Sequence, residues 1–296
     1  MTQAELKPLL TALVTGATGG IGLWTAHGLA ARGYHVLLHG RTAAKVQHAQ
    51  EWLQQTVPGA KVTTLQADLA DGGQIKAMLA SLRNRTESLD LLINNAGLMA
   101  PRHVMTAGGE EVTWAVNLLA PMQLTQGLLP ILQHAAARRG SARIINVGSA
   151  ASDRARLNLP MLRDRARTTS RYAGLRVYGQ TKLALLIHST ALAQQLAGTG
   201  VVVHCVHPGA VGTRIAAVGG WLGAFWAVAS PFLLSARQGA SYTLMAACDP
   251  AWANVTGCYL KRGRAVRRNP QAYDAVLAEE LRHLSTALLL DGAKQN

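Results

Sequence analysis

Short apolar runs rich in Val, Leu and Ile alternate with longer stretches of helical periodicity from the first residues to about position 260. Six runs read as strands: TALVT (11–15), YHVLLH (34–39), KVTTLQ (61–66), LDLLIN (89–94), ARIINV (142–147) and VVVHCV (201–206), with a last short one near TGCYL (256–260). Between them, Gly20 to Ala31, Ala43 to Gln55, Glu110 to Ala137 and Tyr178 to Leu196 carry the spacing of helices that bury one face. Strands that alternate with helices predict βα units and a mostly parallel sheet covered on both faces. With no internal repeat and no linker, the pattern predicts one α/β domain over residues 1–296.

The first predicted strand runs into TGATGGIG (15–22), and a helix follows at once. Glycines 16, 20 and 22 allow a tight turn, a close approach to a pyrophosphate and a helix packed on the sheet, while the helix N-terminus favours negative charge. Thr18 and Ile21 lie inside the same turn. In this βαβ setting the motif predicts a Rossmann-type, doubly wound domain that binds a dinucleotide. The second strand ends in LLHGRT, without the acidic residue that would meet the ribose hydroxyls of NAD. Arg41 stands there instead and can grip a 2′-phosphate, so NADP(H) is the expected cofactor; the alternative for Arg41 is an ordinary helix-start arginine on the surface.

In YGQTK (178–182) a tyrosine and a lysine are four residues apart, which stacks them on one face of a helix. A cation beside a phenol favours the phenolate and should pull the tyrosine's pKa down towards the working range of a general acid. Such a pair is weak evidence alone, since Tyr172 and Arg176 share the spacing.

The pair has company. TGATGGIG, NNAG (94–97), Asn117 in AVNLLAP, Ser149 in INVGSAAS, YGQTK and HPGAVGT (207–213) occur in the order found in short-chain dehydrogenases/reductases, and together they span nearly the whole chain. The resemblance implies that Tyr178 is the general acid/base, that Lys182 lowers its pKa and holds the nicotinamide ribose, and that Ser149 hydrogen-bonds the substrate oxygen. It implies a water-linked proton path maintained by Asn117. Asp68 and Leu69 would border the adenine, Asn94, Asn95, Ala96 and Gly97 would line the cofactor groove, and Pro208, Gly209, Val211 and Thr213 would close the nicotinamide end. Two features depart from the common pattern: Gly148 stands where a serine often precedes the catalytic one, and Ser149 and Tyr178 are 29 positions apart. That wide gap, with NNAGLMAP and SPFLLSARQGASYTLMAACDP, is similar to the retinol-dehydrogenase-like branch and to related bacterial ketoreductases.

Composition narrows the remaining classes. At 49% apolar and 15% charged residues the chain reads as folded and soluble. Three widely spaced cysteines suggest neither a disulfide framework nor zinc, and point to a reducing, cytoplasmic setting. His204 and His207 flank Cys205 but fall on opposite faces of a strand, which argues against a shared metal. The net charge of +14 is concentrated in an arginine-rich insert (about 151–177) and in KRGRAVRR (261–268). No nucleic-acid motif accompanies that charge; it reads either as a solvated basic face or as a surface answered by an acidic lipid or a phosphorylated cofactor. Ile215 to Ser235 is 21 uncharged residues, broken by Gly219, Gly220, Gly223 and Pro231. It is expected to form an apolar lid over about 212–236, with Trp221, Phe225, Trp226 and Phe232, that favours a hydrophobic aldehyde, ketone or alcohol. Packing against the core, against a second copy or at a membrane surface are the competing uses of that segment. A cofactor-binding sensor without turnover is the functional rival to an oxidoreductase.

Overall fold

The computed structural model describes residues 9–157, 159, 172–210 and 234–291. Val211, Thr213, nearly all of the segment expected to form the lid, with its four large aromatic residues, and about half of the arginine-rich insert lie outside them.

Eight strands form one sheet: β1 (Thr11–Val14), β2 (His35–Gly40), β3 (Val62–Gln66), β4 (Leu91–Asn94), β5 (Ala142–Val147), β6 (Val201–His207), β7 (Cys258–Lys261) and β8 (Arg264–Ala265). The spatial order is β3-β2-β1-β4-β5-β6-β7-β8. All neighbours are parallel except β7 and β8, which form an antiparallel hairpin. Seven of these strands fall on the predicted runs. The two-residue β8 is too short to carry a period.

Successive strand residues point to opposite faces, and each face has its own apolar layer. Ala12, Val14, Val36, Leu38, Leu91 and Ile93 face one side and pack under α1 (Gly20–Ala30), α2 (Ala43–Thr56) and α7 (Ala236–Cys248). Leu13, Leu37, Leu92 and Ile144 face the other, under α3 (Gly72–Arg85), α4 (Val112–Arg139) and α6 (Gly174–Gln195). The short α5 (Ala151–Arg154) follows β5, and α8 (Ala275–Asp291) packs on α6 through Leu281. These are helices on both faces of a mostly parallel sheet, the doubly wound arrangement expected.

Helix α4 is long and apolar enough to cross a membrane by composition, but most of its apolar stretch is buried against the sheet. It is interrupted by a π turn over Ala115–Leu119. Helix α3 has weak apolar periodicity and begins with two glycines. Its start is set by Asp71, whose carboxylate accepts the backbone N–H groups of Gly73 and Gln74.

Two glycines let helices in the same layer approach closely. A Cβ on Gly28 of α1 would lie 2.3 Å from Leu244 Cδ1 of α7, and one on Gly127 of α4 would lie 2.5 Å from Leu79 Cδ1 of α3. Gly28→Val should therefore push α7 off α1 and cost about 1–3 kcal/mol. A lowered chemical-denaturation midpoint with unchanged slope would show this, and an unchanged midpoint would refute it.

Candidate active site

The order of the sheet reverses at β1 and β4, and a cleft of about 740 Å³ opens at the C-terminal ends of the strands beside that point. One end of the cleft is the β1–α1 turn. Gly16 and Gly20 have φ of +63° and +55°, a region that glycine enters without strain. Gly19, the N-cap of helix α1, gives it no side-chain cap, its first turn holds no acidic residue, and a Cβ on Gly19 would meet nothing within 4 Å. Uncapped N–H groups beside open space fit a pyrophosphate. Gly22 serves packing, since its Cβ would lie 2.3 Å from Gly16 O.

The turn is tied to its surroundings by two residues. Thr15 Oγ1 accepts the N–H groups of Asn95 (2.9 Å) and Ala96 (3.0 Å), and Asn95 Nδ2 donates to Thr15 O (2.8 Å). His39, which none of the sequence motifs includes as a site residue, lies beneath. Its Nδ1 accepts the Gly16 N–H (3.3 Å), so Nε2 carries the proton and donates to Ala67 O (3.1 Å). Burial holds this imidazole near pKa 4, hence neutral. A histidine at the C-terminal end of β2, the strand paired in parallel with the one that leads to the glycine-rich turn, was the available signal.

Arg41 lines the cleft here, together with Lys45, Asp68 and Leu69. Lys45 was also missed, although it lies one helical turn beyond Arg41. Asp68 spends one oxygen on the Ala70 N–H (2.9 Å). Thr18, Ile21, Asn95, Ala96, Gly97, Pro208 and Gly209 line the cleft too. Asn94 does not: it is buried, donating to Asn146 Oδ1 (2.8 Å) across the β4–β5 pairing.

At the other end Ser149, Tyr178 and Lys182 share one wall. Tyr178 and Lys182 lie on α6, one turn apart, with Lys182 Nζ 5.9 Å from the centre of the tyrosine ring. The ammonium donates to Val147 O (2.8 Å) rather than to the phenol. The expected lowering of the Tyr178 pKa is reversed. Burial raises it, and the Ser149 hydroxyl only partly offsets this. Burial also lowers Lys182 to about 8. Asn117 lies behind the wall in the π turn, its amide bound to Leu98 N (2.8 Å), Leu98 O (2.9 Å) and Thr181 Oγ1 (3.0 Å). It still neighbours Lys182, because a Cβ on Gly97 would meet Asn117 Oδ1 at 3.2 Å and Lys182 Nζ at 3.3 Å.

Gly148 also has a local explanation: a Cβ there would lie 2.7 Å from Cys205 Sγ. His207 flanks the serine turn, its Nδ1 accepting the Ala150 N–H (3.2 Å), and burial holds it near pKa 4. Leu98, Met99, Val116, Ala150 and Leu175 make this end apolar, with Leu175 55% exposed at the mouth.

The sequence model of the family described as short chain dehydrogenase matches residues 10–161, just over half the chain. The chain belongs to that family. Short-chain dehydrogenases similar to it include the chloroplastic TIC 32 A of Brassica napus, 33% identical over 285 residues that cover 95% of this chain and 88% of that one. Human retinol dehydrogenase 12 is 32% identical over 288 residues, covering 97% and 88%. A crystal structure of an uncharacterised Mycobacterium paratuberculosis protein superposes with a TM-score of 0.74 at 30% identity, covering 95% of this chain and 93% of that one. Complexes with NADP and with NADH occur among solved structures of similar fold. The short-chain dehydrogenase described here is thus an oxidoreductase of the retinol-dehydrogenase-like kind, with a cleft for a nicotinamide cofactor.

The two site histidines, and His188 on α6, are held near pKa 4 by burial, against 6.5 when exposed. Between pH 6.5 and 4 the unfolded chain binds protons that the folded chain refuses, so their contribution is full above pH 6.5 and lost as pH falls towards 4. Each histidine should contribute up to ~1.4 kcal/mol per pH unit in that window. Denaturant unfolding across this range should therefore show steeply falling stability. His39→Asn should reduce the slope by about one proton, and an identical slope would contradict the assignment.

Proposed function

We propose that this short-chain dehydrogenase transfers hydride between NADP(H) and the carbonyl or alcohol group of a hydrophobic substrate, with reduction by NADPH as the working direction. The convergence of Ser149, Tyr178 and Lys182 on an apolar wall, in the same cleft as the uncapped α1 turn, carries the proposal. When bound, the nicotinamide supplies or accepts the hydride. The α1 N-terminus and the glycine turn would hold the pyrophosphate, Asp68 and Leu69 the adenosine end, and Asn95 to Gly97 the middle of the groove. Arg41, joined by Lys45, would meet a 2′-phosphate with two cations against the one carboxylate of Asp68.

At the reacting end the Ser149 hydroxyl would donate to the carbonyl oxygen, and the Tyr178 O–H would deliver the proton as alkoxide character develops there. A phenol whose pKa is raised by burial holds its proton until it is needed. The resulting phenolate is stabilised by the positive charge of Lys182 one helical turn away. Asn117 would act from behind by fixing Leu98 and Thr181 around Lys182. Leu98, Met99 and Leu175 would exclude water and receive the apolar part of the substrate. The reducing cytoplasm suits the free cysteines Cys205, Cys248 and Cys258, and the basic β7–β8 hairpin would permit weak peripheral contact with acidic membranes.

Oxidation of NADPH and of NADH should be followed with a panel of hydrophobic aldehydes and ketones. Turnover should favour NADPH. Tyr178→Phe should lower kcat by ~10²–10⁴-fold while NADPH binding persists. Arg41→Ala should weaken NADPH binding by about tenfold or more and leave NADH binding unchanged. Tight NADPH binding without turnover of any substrate would instead make the protein a cofactor-binding sensor.

A further inference from the structure

The turn that carries Ser149 is held from beneath by the C-terminal part of the chain, beyond the residues that the family model matches. Tyr259 on β7 is 1% exposed. Its hydroxyl lies 3.2 Å from Ser149 O and 3.2 Å from Asp153 Oδ1, so one phenol proton is shared between the serine's own carbonyl and a carboxylate on α5. Lys261, on the same face of β7, pairs with the other oxygen of Asp153. Asn269 Nδ2 donates to the carbonyls of Ser152 (2.8 Å), Asp153 (3.2 Å) and Ala155 (3.0 Å). The Tyr259 ring itself lies under Gly148, where a Cβ would be 3.8 Å from Cε2. Neither Tyr259 nor Asn269 lines the cleft. Their polar bonds end on the turn that aims Ser149; its carbonyl also accepts the Ser152 hydroxyl (2.7 Å) and N–H (3.0 Å) from within the turn, and the Tyr259 hydroxyl is the donor that ties it to β7.

We infer that Tyr259 is a positioning residue for Ser149: by tying the serine's carbonyl to the Asp153–Lys261 pair, it fixes the direction of the Ser149 hydroxyl. The inference rests on the proposed role of Ser149. A donor that must meet a developing alkoxide works only at a fixed distance and angle, and small misplacements are expensive in rate. Tyr259 therefore acts on turnover and not on cofactor binding. Tyr259→Phe keeps the ring beneath Gly148 and deletes only the hydroxyl.

The test is a double-mutant cycle on the full chain, with NADPH and a hydrophobic aldehyde, reading kcat, KM and the NADPH Kd by nicotinamide fluorescence. Tyr259→Phe should lower kcat by about tenfold, with NADPH Kd unchanged. In a Ser149→Ala background the same change should cause no further loss, because the hydroxyl that it positions is gone. Asp153→Asn should move kcat in the same direction, and it carries the cycle if Tyr259→Phe does not fold. Wild-type kcat in both variants, an equal fold-loss with and without Ser149, or a loss confined to NADPH Kd would each overturn the inference and leave the functional reading standing. Wild-type protein that binds NADPH but turns over no substrate would overturn the functional reading, and this inference with it.

Discussion

The cleft depends on how closely the ends of β1 and β4 are joined where the order of the sheet reverses. Thr15 receives two backbone N–H groups from the β4 loop, and Asn95 returns a donor to the carbonyl of Thr15. The two loops that diverge to opposite faces of the sheet are thus bonded to each other before they part. Helix α1 starts in contact with this junction, because Gly22 brings no side chain between Gly16 and Asn95. Any residue with a Cβ at position 22 would have to move the helix whose N-terminus forms one end of the site.

Water is excluded from most of the groups that give the cleft its chemistry, and desolvation decides their protonation more than their neighbours do. His39 and His207 are neutral for that reason, and each accepts a backbone N–H that an imidazolium would repel. Lys182 donates to the backbone carbonyl Val147 O, and burial makes its charge easier to lose than that of an exposed lysine. Cys205 fills the space below the serine turn as a small apolar group, and burial pushes its thiol up to about 12. A glycine at 148 and a cysteine at 205 therefore form one packing unit, so the departure from the common serine at 148 is compensated on the neighbouring strand.

Seven strands were legible because their apolar runs are short, β-branched and separated by helical periods, and the cofactor turn was legible because its glycines sit between a strand and a helix. Helix α3 is not legible in the sequence, since its opening glycines and polar residues mask its period and its start depends on Asp71. The sequence also brought Tyr178 and Lys182 to one helix face, and the structure keeps them there. Spacing along a helix says nothing about Val147, however, which lies 35 residues earlier and takes the ammonium's hydrogen bond. Nor does it report burial, which is why the direction of the Tyr178 pKa shift could not be read from the pair alone. Asn117 shows the same limit, as its π turn is a property of how α4 fits against Leu98 and Thr181.

The hairpin that closes the sheet has a consequence for how the molecule behaves in a crowded solution. A sheet that ended at β7 would present a full strand edge, with unpaired N–H and C=O groups able to template another chain. β8 covers that edge with two exposed residues and then turns away. Arg264 lies on it, and Lys261, Arg262, Arg267 and Arg268 surround it. A strand approaching in register would meet a dense positive charge on a ladder too short to reward pairing. A short ladder flanked by basic side chains is thus a poor template for edge-to-edge pairing.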